Sequence, residues 1–270
     1  MLENIDRVQL VVQDRAATAA SWKALLGSEV VREDTVKALG AKRTVIGLGH
    51  AEVELLEPDG AGPVADFMAE SGRGGLFAAG FSTNDIQAVR NQLASRGVSF
   101  AEEGDQIFLP PGAVEGKGFR AVITPATTRP KVGIMNRLHE VSFLVDDPEK
   151  SAASLVETLG IDKNFGATQS DVFGFEGIHV YLTGKKDDDI ETINPVDRDK
   201  AMGRFFDRRG SSLYMAFGET DDIEGVRARA MEHAPADWTG PKEGPIGSIF
   251  LHPKALGGVM LGVRKPTAPH

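Results

Sequence analysis

The chain has six histidines and no cysteine. Without a thiol there is no cysteine nucleophile, disulfide, iron–sulfur cluster or cysteinyl zinc site, so any metal must rest on His, Asp, Glu, Gln or Tyr. His139, His179 and His252 fall in or at the ends of strand-like runs of the second half, and Glu140 adjoins the first of them. Imidazole and carboxylate on neighbouring strands can ligate a divalent cation or pass a proton near neutral pH. Two other segments carry no such reading. Gly72-Arg-Gly-Gly75 precedes a strand and opens no helix, so it is not a phosphate loop. Asp187-Asp-Asp189 lacks the spacing and glycine of a calcium loop. It reads as solvated charge in a loop from Gly184 to Ile190 that leads to a short helix near Phe205.

The elements that must position these residues come as repeats. Thr18-Ala-Ala-Ser-Trp-Lys-Ala-Leu-Leu-Gly27 recurs 133 residues later as Ser151-Ala-Ala-Ser-Leu-Val-Glu-Thr-Leu-Gly160. Each copy follows an alternating run ending in aspartate, Val8 to Asp14 and Val141 to Asp147. Alternation predicts a half-buried strand, the aspartate a helix start and the glycine a C-terminal cap. Asp85-Ile-Gln-Ala-Val-Arg90 and Asp222-Ile-Glu-Gly-Val-Arg227 form a second pair of echoes, and Phe108-Leu-Pro-Pro111 and Phe250-Leu-His-Pro253 a third. With short strands at Thr44–Leu48 and Val53–Leu56, the pattern predicts four modules of strand, helix and further strands. The closely spaced prolines of Thr124-Pro-Ala-Thr-Thr-Arg-Pro130 mark the boundary between halves.

A chain of 270 residues suffices for two domains of ordinary size. A net charge of −9 works against nucleic acid or an anionic membrane as partner, which leaves a small molecule. No uncharged apolar run approaches the roughly 18 residues of a spanning helix, and Met1 to Asp6 lacks the pattern of a leader. The expectation is a soluble, cytoplasmic protein, monomeric or homodimeric.

Several stretches resemble the vicinal oxygen chelate superfamily of glyoxalase I, extradiol dioxygenases, methylmalonyl-CoA epimerase and the bleomycin and fosfomycin resistance proteins. Ile5 to Asp14 is similar to its opening strand, with Arg7 where histidine is usual, and Val53-Glu-Leu-Leu-Glu-Pro58 to its fourth strand. Arg209 to Leu213, Asp221 to Ile223 and Phe250 to Leu261 resemble the second module of the epimerase branch. The resemblance implies an α+β fold of four tandem βαβββ modules, forming two glyoxalase-like open β-barrel domains at residues 1–125 and 136–266. It also implies that a divalent metal is held by one residue from the first and one from the fourth strand of each module.

Carried onto this chain, those positions are Arg7, Glu54, Ala78 and Val122 in the first half. Only Glu54 is a ligand type. Arg7 facing it is either a clamp for a substrate carboxylate or a structural ion pair where the metal would lie. In the second half the positions are Glu140, His179, Tyr214 or Met215, and Gly262, with His179 aligned to Glu54. Glu140 and His179 are thus metal ligands or catalytic bases, Tyr214 an oxyanion stabiliser, and His252, the repeat counterpart of Pro110, a substrate contact. His139 alternates to the face opposite Glu140 and is read as a surface or interface residue.

The implied activity is proton transfer beside a carbonyl of a small carbonyl, hydroxy-acid or thioester substrate, by isomerase, epimerase or lyase chemistry. It would be assisted by iron, manganese, cobalt, nickel or zinc, or by no metal. A metal-free small-molecule binding protein is the alternative, motivated by Ala78, Val122 and Gly262. Ring cleavage is disfavoured because the set of two histidines and one glutamate is not in place.

Overall fold

A computed structural model describes residues 2–184 and 186–266. The four expected modules are present. The first is β1 (Leu2–Val11), α1 (Arg15–Leu26), β2 (Glu29–Val36), β3 (Ala41–Leu48) and β4 (Ala51–Pro58), followed by α2 (Pro63–Ser71). The second is β5 (Gly75–Thr83), α3 (Ile86–Ser95), β6 (Ala101–Glu103), β7 (Gln106–Leu109) and β8 (Ala121–Pro125). The third is β9 (Arg137–Leu144), α4 (Pro148–Leu159), β10 (Phe165–Ser170), β11 (Phe175–Tyr181) and β12 (Asp189–Asn194), followed by α5 (Ala201–Arg209). The fourth is β13 (Ser212–Glu219), α6 (Ile223–His233), β14 (Trp238–Thr239), β15 (Ser248–Leu251) and β16 (Met260–Arg264).

Each module starts its helix the same way. Asp14, Asp85, Asp147 and Asp222 are N-caps whose side chains accept from the backbone N–H of Ala17, Ala88, Lys150 and Gly225. Gly27 and Gly160 end α1 and α4 in the left-handed region at φ 71° and 66°, where a side chain would be strained. The strands form two eight-stranded sheets of like order, β2-β3-β4-β1-β5-β8-β7-β6 and β10-β11-β12-β9-β13-β16-β15-β14. In each, the first strand of a module pairs in parallel with its fourth, which needs the helix and hairpin as a crossover.

The sheets follow the two halves of the chain, but the compact units do not. One unit is the chain up to Ile5 with Ala78–Thr127 and Glu140–Tyr214; the other is Asp6–Phe77 with Thr128–His139 and the chain from Met215. In the first, Phe119 packs between Phe81 and Phe143, and Arg96 bonds Glu157 at 2.6 Å. In the second, the fully buried Trp22 donates from Nε1 to the Leu256 carbonyl at 3.3 Å. Among the described residues no helix is long and apolar enough to cross a membrane.

His139 is not at the surface. It is 1% exposed in the core of the second unit, with its ring 6.2 Å from that of Phe217, because the face of β9 opposite Glu140 is covered. Burial, reinforced by Arg264 and Arg137, pushes its pKa down to about 2, so the folded protein holds the ring neutral. The unfolded chain protonates this side chain below about pH 6.5, so its contribution to stability is present above that pH and is lost as the pH falls. Urea titrations should therefore show a drop in stability between pH 7 and pH 5 that is smaller by about 2 kcal/mol in His139→Phe. An equal drop in parent and variant would show that His139 is not held neutral.

Candidate active site

The third module gathers five ionisable side chains on one face of its sheet. Parallel pairing of β9 with β12 sets Asp189 beside Glu140 and Glu191 beside Ser142. Antiparallel pairing of β11 with β12 sets His179 beside Glu191 and Tyr181 beside Asp189. Because side chains alternate along a strand, all of these point the same way. Donor atoms of Glu140, His179 and Asp189 lie within 4.8 Å of one another. His179 Nδ1 is 2.8 Å from Asp189 Oδ1, and its Nε2 is 3.9 Å from Glu191 Oε1. The Ser142 hydroxyl donates to Glu191 Oε2 at 3.2 Å. The Tyr181 ring lies nearly parallel to the imidazole, at 14° and 5.8 Å between centroids, and Lys186 Nζ is 5.4 Å from its centroid.

The three carboxylates are buried while His179 is half-buried, and this contrast governs the electrostatics. Burial, offset by His179 and added to by Asp189, holds the Glu191 carboxyl above the usual carboxylate range, although the hydroxyls of Ser142 and Thr168 oppose the shift. Burial, with Asp189 and Glu140 nearby, raises the Tyr181 phenol. Three dry carboxylates around one imidazole form a donor set of hard oxygens and a borderline nitrogen. Its members Glu140, His179 and Asp189 are close enough together to fit a divalent first-row cation.

The same sheet positions in the first half are filled differently. Arg7 stands beside Glu52 as Glu140 stands beside Asp189, and Gln9 beside Glu54 as Ser142 beside Glu191. Val45 pairs with Glu54 where His179 pairs with Glu191, and Arg43 stands where the second half has Gly177. Arg7, 3% exposed, bonds Glu54 at 3.0 Å and Asp6 at 3.1 Å and lies 3.6 Å from Glu52. Arg43 and Gln9 engage the other Glu54 oxygen at 3.1 and 2.8 Å, and Arg129 reaches Asp6 and Glu52. Burial alone would lower the Arg7 pKa, but Asp6, Glu54 and Glu52 more than offset it and hold it above its ordinary value. The geometry is that of a structural ion network.

The sites expected from sequence are therefore redistributed. Glu140 and His179 are brought together, but His179 lies on the third strand, β11, and not on the fourth. The fourth strand is β12, which begins inside the segment read as a solvated loop. Asp188 is buried there by accepting the Ile5 amide at 2.6 Å, and Asp189 by its bond to His179. Sequence reasoning thus missed Asp189 and Glu191. The signal available was the echo of Glu54-Leu-Leu-Glu-Pro58 in Glu191-Thr-Ile-Asn-Pro195. The position left open between Tyr214 and Met215 resolves to Met215, since Asp222 caps α6 as Asp85, at the same distance beyond Ala78, caps α3. Tyr214 packs in an apolar cluster with Leu144, Ile193, Met202 and Phe206, its ring on Phe205, and burial raises its phenol. Gly262 leaves room for the Phe217 ring, which a Cβ would meet at 2.2 Å. His252 belongs to the second unit, where its Nε2 is 2.7 Å from the Thr239 hydroxyl.

Comparisons with known proteins agree with this architecture. A family model for the Glyoxalase/Bleomycin resistance protein/Dioxygenase superfamily matches residues 6–108. The ethylmalonyl-CoA/methylmalonyl-CoA epimerase of Cereibacter sphaeroides is 30% identical over 106 residues, 39% of this chain and 79% of that protein. Mitochondrial methylmalonyl-CoA epimerase of Homo sapiens is 28% identical over 104 residues, 38% of this chain and 59% of that protein. A solved variant of 4-hydroxymandelate synthase from Streptomyces coelicolor has the same fold, with a TM-score of 0.74 over 100% of this chain and 95% of that one at 12% identity.

Removing the Arg7 guanidinium would leave Glu52, Glu54 and Asp6 undercompensated in a dry environment. Arg7→Met is expected to cost about 3–5 kcal/mol in urea denaturation, and adding Glu54→Leu should recover much of it. An Arg7→Met protein as stable as the parent would rule out the structural role.

Proposed function

The chain belongs to the glyoxalase/bleomycin resistance protein/dioxygenase superfamily, and from that premise we propose that its second half, taken as the domain 136–266, catalyses proton transfer next to a carbonyl. The reaction is of isomerase or epimerase type and the substrate an acyl-CoA thioester, as the names of both relatives suggest. One observation carries the reading: an imidazole flanked by buried carboxylates on a half-open sheet face, at the positions where the first half is closed by arginines.

The α-proton of a thioester is weakly acidic, so a base must sit in a dry site and the enolate oxygen must be stabilised. Glu140, His179 and a carboxylate of β12 would hold a divalent cation, which when bound would polarise the carbonyl and stabilise the enolate oxygen. The carboxylates not engaged with a cation supply the base. A carboxylate takes the C–H proton, the electron pair moves onto the carbonyl oxygen, and return of a proton to the other face of the carbon inverts the centre. Glu191, held above the usual range, is suited to be the acid that delivers a proton to the other face while a second carboxylate retains the one abstracted. The first half supports the fold.

The test is deuterium exchange at the α-carbon of methylmalonyl-CoA in heavy water, followed by mass spectrometry, with metal content measured on untagged protein prepared without chelators. Exchange by the parent should fall at least a hundredfold in Glu140→Gln and in His179→Ala, with unchanged far-UV circular dichroism. One equivalent of iron, manganese, cobalt, nickel or zinc should be lost in His179→Ala. Unchanged exchange in both variants would overturn the assignment, and stoichiometric binding of thioester with no exchange by the parent would identify a binding protein.

A further inference from the structure

Asp189 and Glu191 both border His179, but they border different nitrogens. Strand pairing sets Glu191 directly across from His179, yet the ring reaches along the sheet to Asp189, the partner of Tyr181. The resulting distance is 2.8 Å at Nδ1, a hydrogen bond to a buried carboxylate acceptor, against 3.9 Å from Nε2 to Glu191, too long for one. The Tyr181 ring lies nearly parallel to the imidazole that makes this bond. In the first half the residue in the place of Asp189 is Glu52, which also grips neighbouring side chains, Arg7 at 3.6 Å and Arg129 at 3.3 Å. This sheet position thus carries an acid that holds another side chain in both halves.

We propose that Asp189 is a positioning residue: it accepts the Nδ1 hydrogen of His179, fixes the ring in the Nδ1–H tautomer, and leaves the Nε2 lone pair as the working atom. The inference rests on the functional reading above only in what Nε2 then does. With Nε2 aimed at the space beside Glu191, the imidazole can bind a cation or accept a proton there, and Asp189 strengthens it as a donor without itself touching the substrate. The arrangement divides the acids of β12: Asp189 orients the ring, and Glu191, with hydroxyl donors from Ser142 and Thr168, faces the working side.

The test begins with the metal-free full chain, labelled with nitrogen-15, at about pH 8, where an ordinary imidazole is neutral. Long-range proton–nitrogen correlation spectra distinguish the two tautomers, and His179→Gln identifies the signals. The parent is expected to show His179 as Nδ1–H, and an Nε2–H parent would overturn the proposal without any variant having to fold. Asp189→Ala should release the ring to a mixture of tautomers, whereas Asp189→Asn, which keeps an oxygen acceptor, should largely restore Nδ1–H. A tautomer unchanged in Asp189→Ala would also overturn it. Because the tautomer is read without metal or substrate, a failed exchange assay with the expected tautomers would reject the function alone, and exchange with the wrong tautomer would reject the positioning alone.

Discussion

Parallel pairing of the first and fourth strands within a βαβββ module is the constraint on which both halves of this protein depend. It places two residues of the fourth strand beside two of the first on a face that water reaches poorly. In the first and third modules those fourth-strand residues are acids, Glu52 and Glu54 or Asp189 and Glu191. An unpaired buried carboxylate costs several kcal/mol, so whatever stands on the neighbouring strands must answer it.

The two halves answer it with different chemistry. In the first, guanidinium groups from β1 and β3 make charge-assisted bonds to both oxygens of Glu54, Arg129 reaches Glu52, and β3 is buried along almost its whole length. The planar, permanently charged fork of arginine suits a fixed network and is poorly suited to exchanging protons. In the second, Glu140 replaces the arginine of the first strand, an imidazole replaces a valine, and Gly177, whose Cβ would fall 2.3 Å from the Thr192 carbonyl, stands in for Arg43. Removing two cations and adding an acid leaves charge that a proton or a metal ion can balance reversibly. The strand bearing His179 is half-exposed where its counterpart is closed. The same backbone supports a sealed ion network in one half and a half-open cluster of acids and imidazole in the other, and a few side chains make the difference.

How much of this was legible along the chain follows from the range of the interactions. The four modules could be read because a capping aspartate, a closing glycine and period-two alternation are local patterns, set by hydrogen bonds and side-chain directions within a few residues. Glu140 could be found for the same reason, since it keeps a constant spacing to the capping Asp147 that repeats from Arg7 and Asp14. The strand of His179 could not. The third module carries four more residues than the first between its first and fourth strands, so Glu191 follows Glu54 by 137 positions where Glu140 follows Arg7 by 133. The acidic run at Asp187 to Asp189 looked solvated because it follows Lys185 and Lys186 in one charged cluster with no apolar alternation.

Its partners are distant: the Ile5 amide for Asp188 and His179 for Asp189. Likewise, local pattern distinguishes the halves, but it does not tell which modules pack into one compact unit, because that depends on surfaces formed only when the strands have paired. Caps, alternation and the family resemblance were therefore enough for the fold class and for Glu140 and His179 of the candidate site, though not for the strand that carries His179. Which charges share a face, and whether they close on arginine or remain available to a substrate, was decided by strand register, because buried electrostatics depends on distances of a few ångströms between residues far apart in the chain.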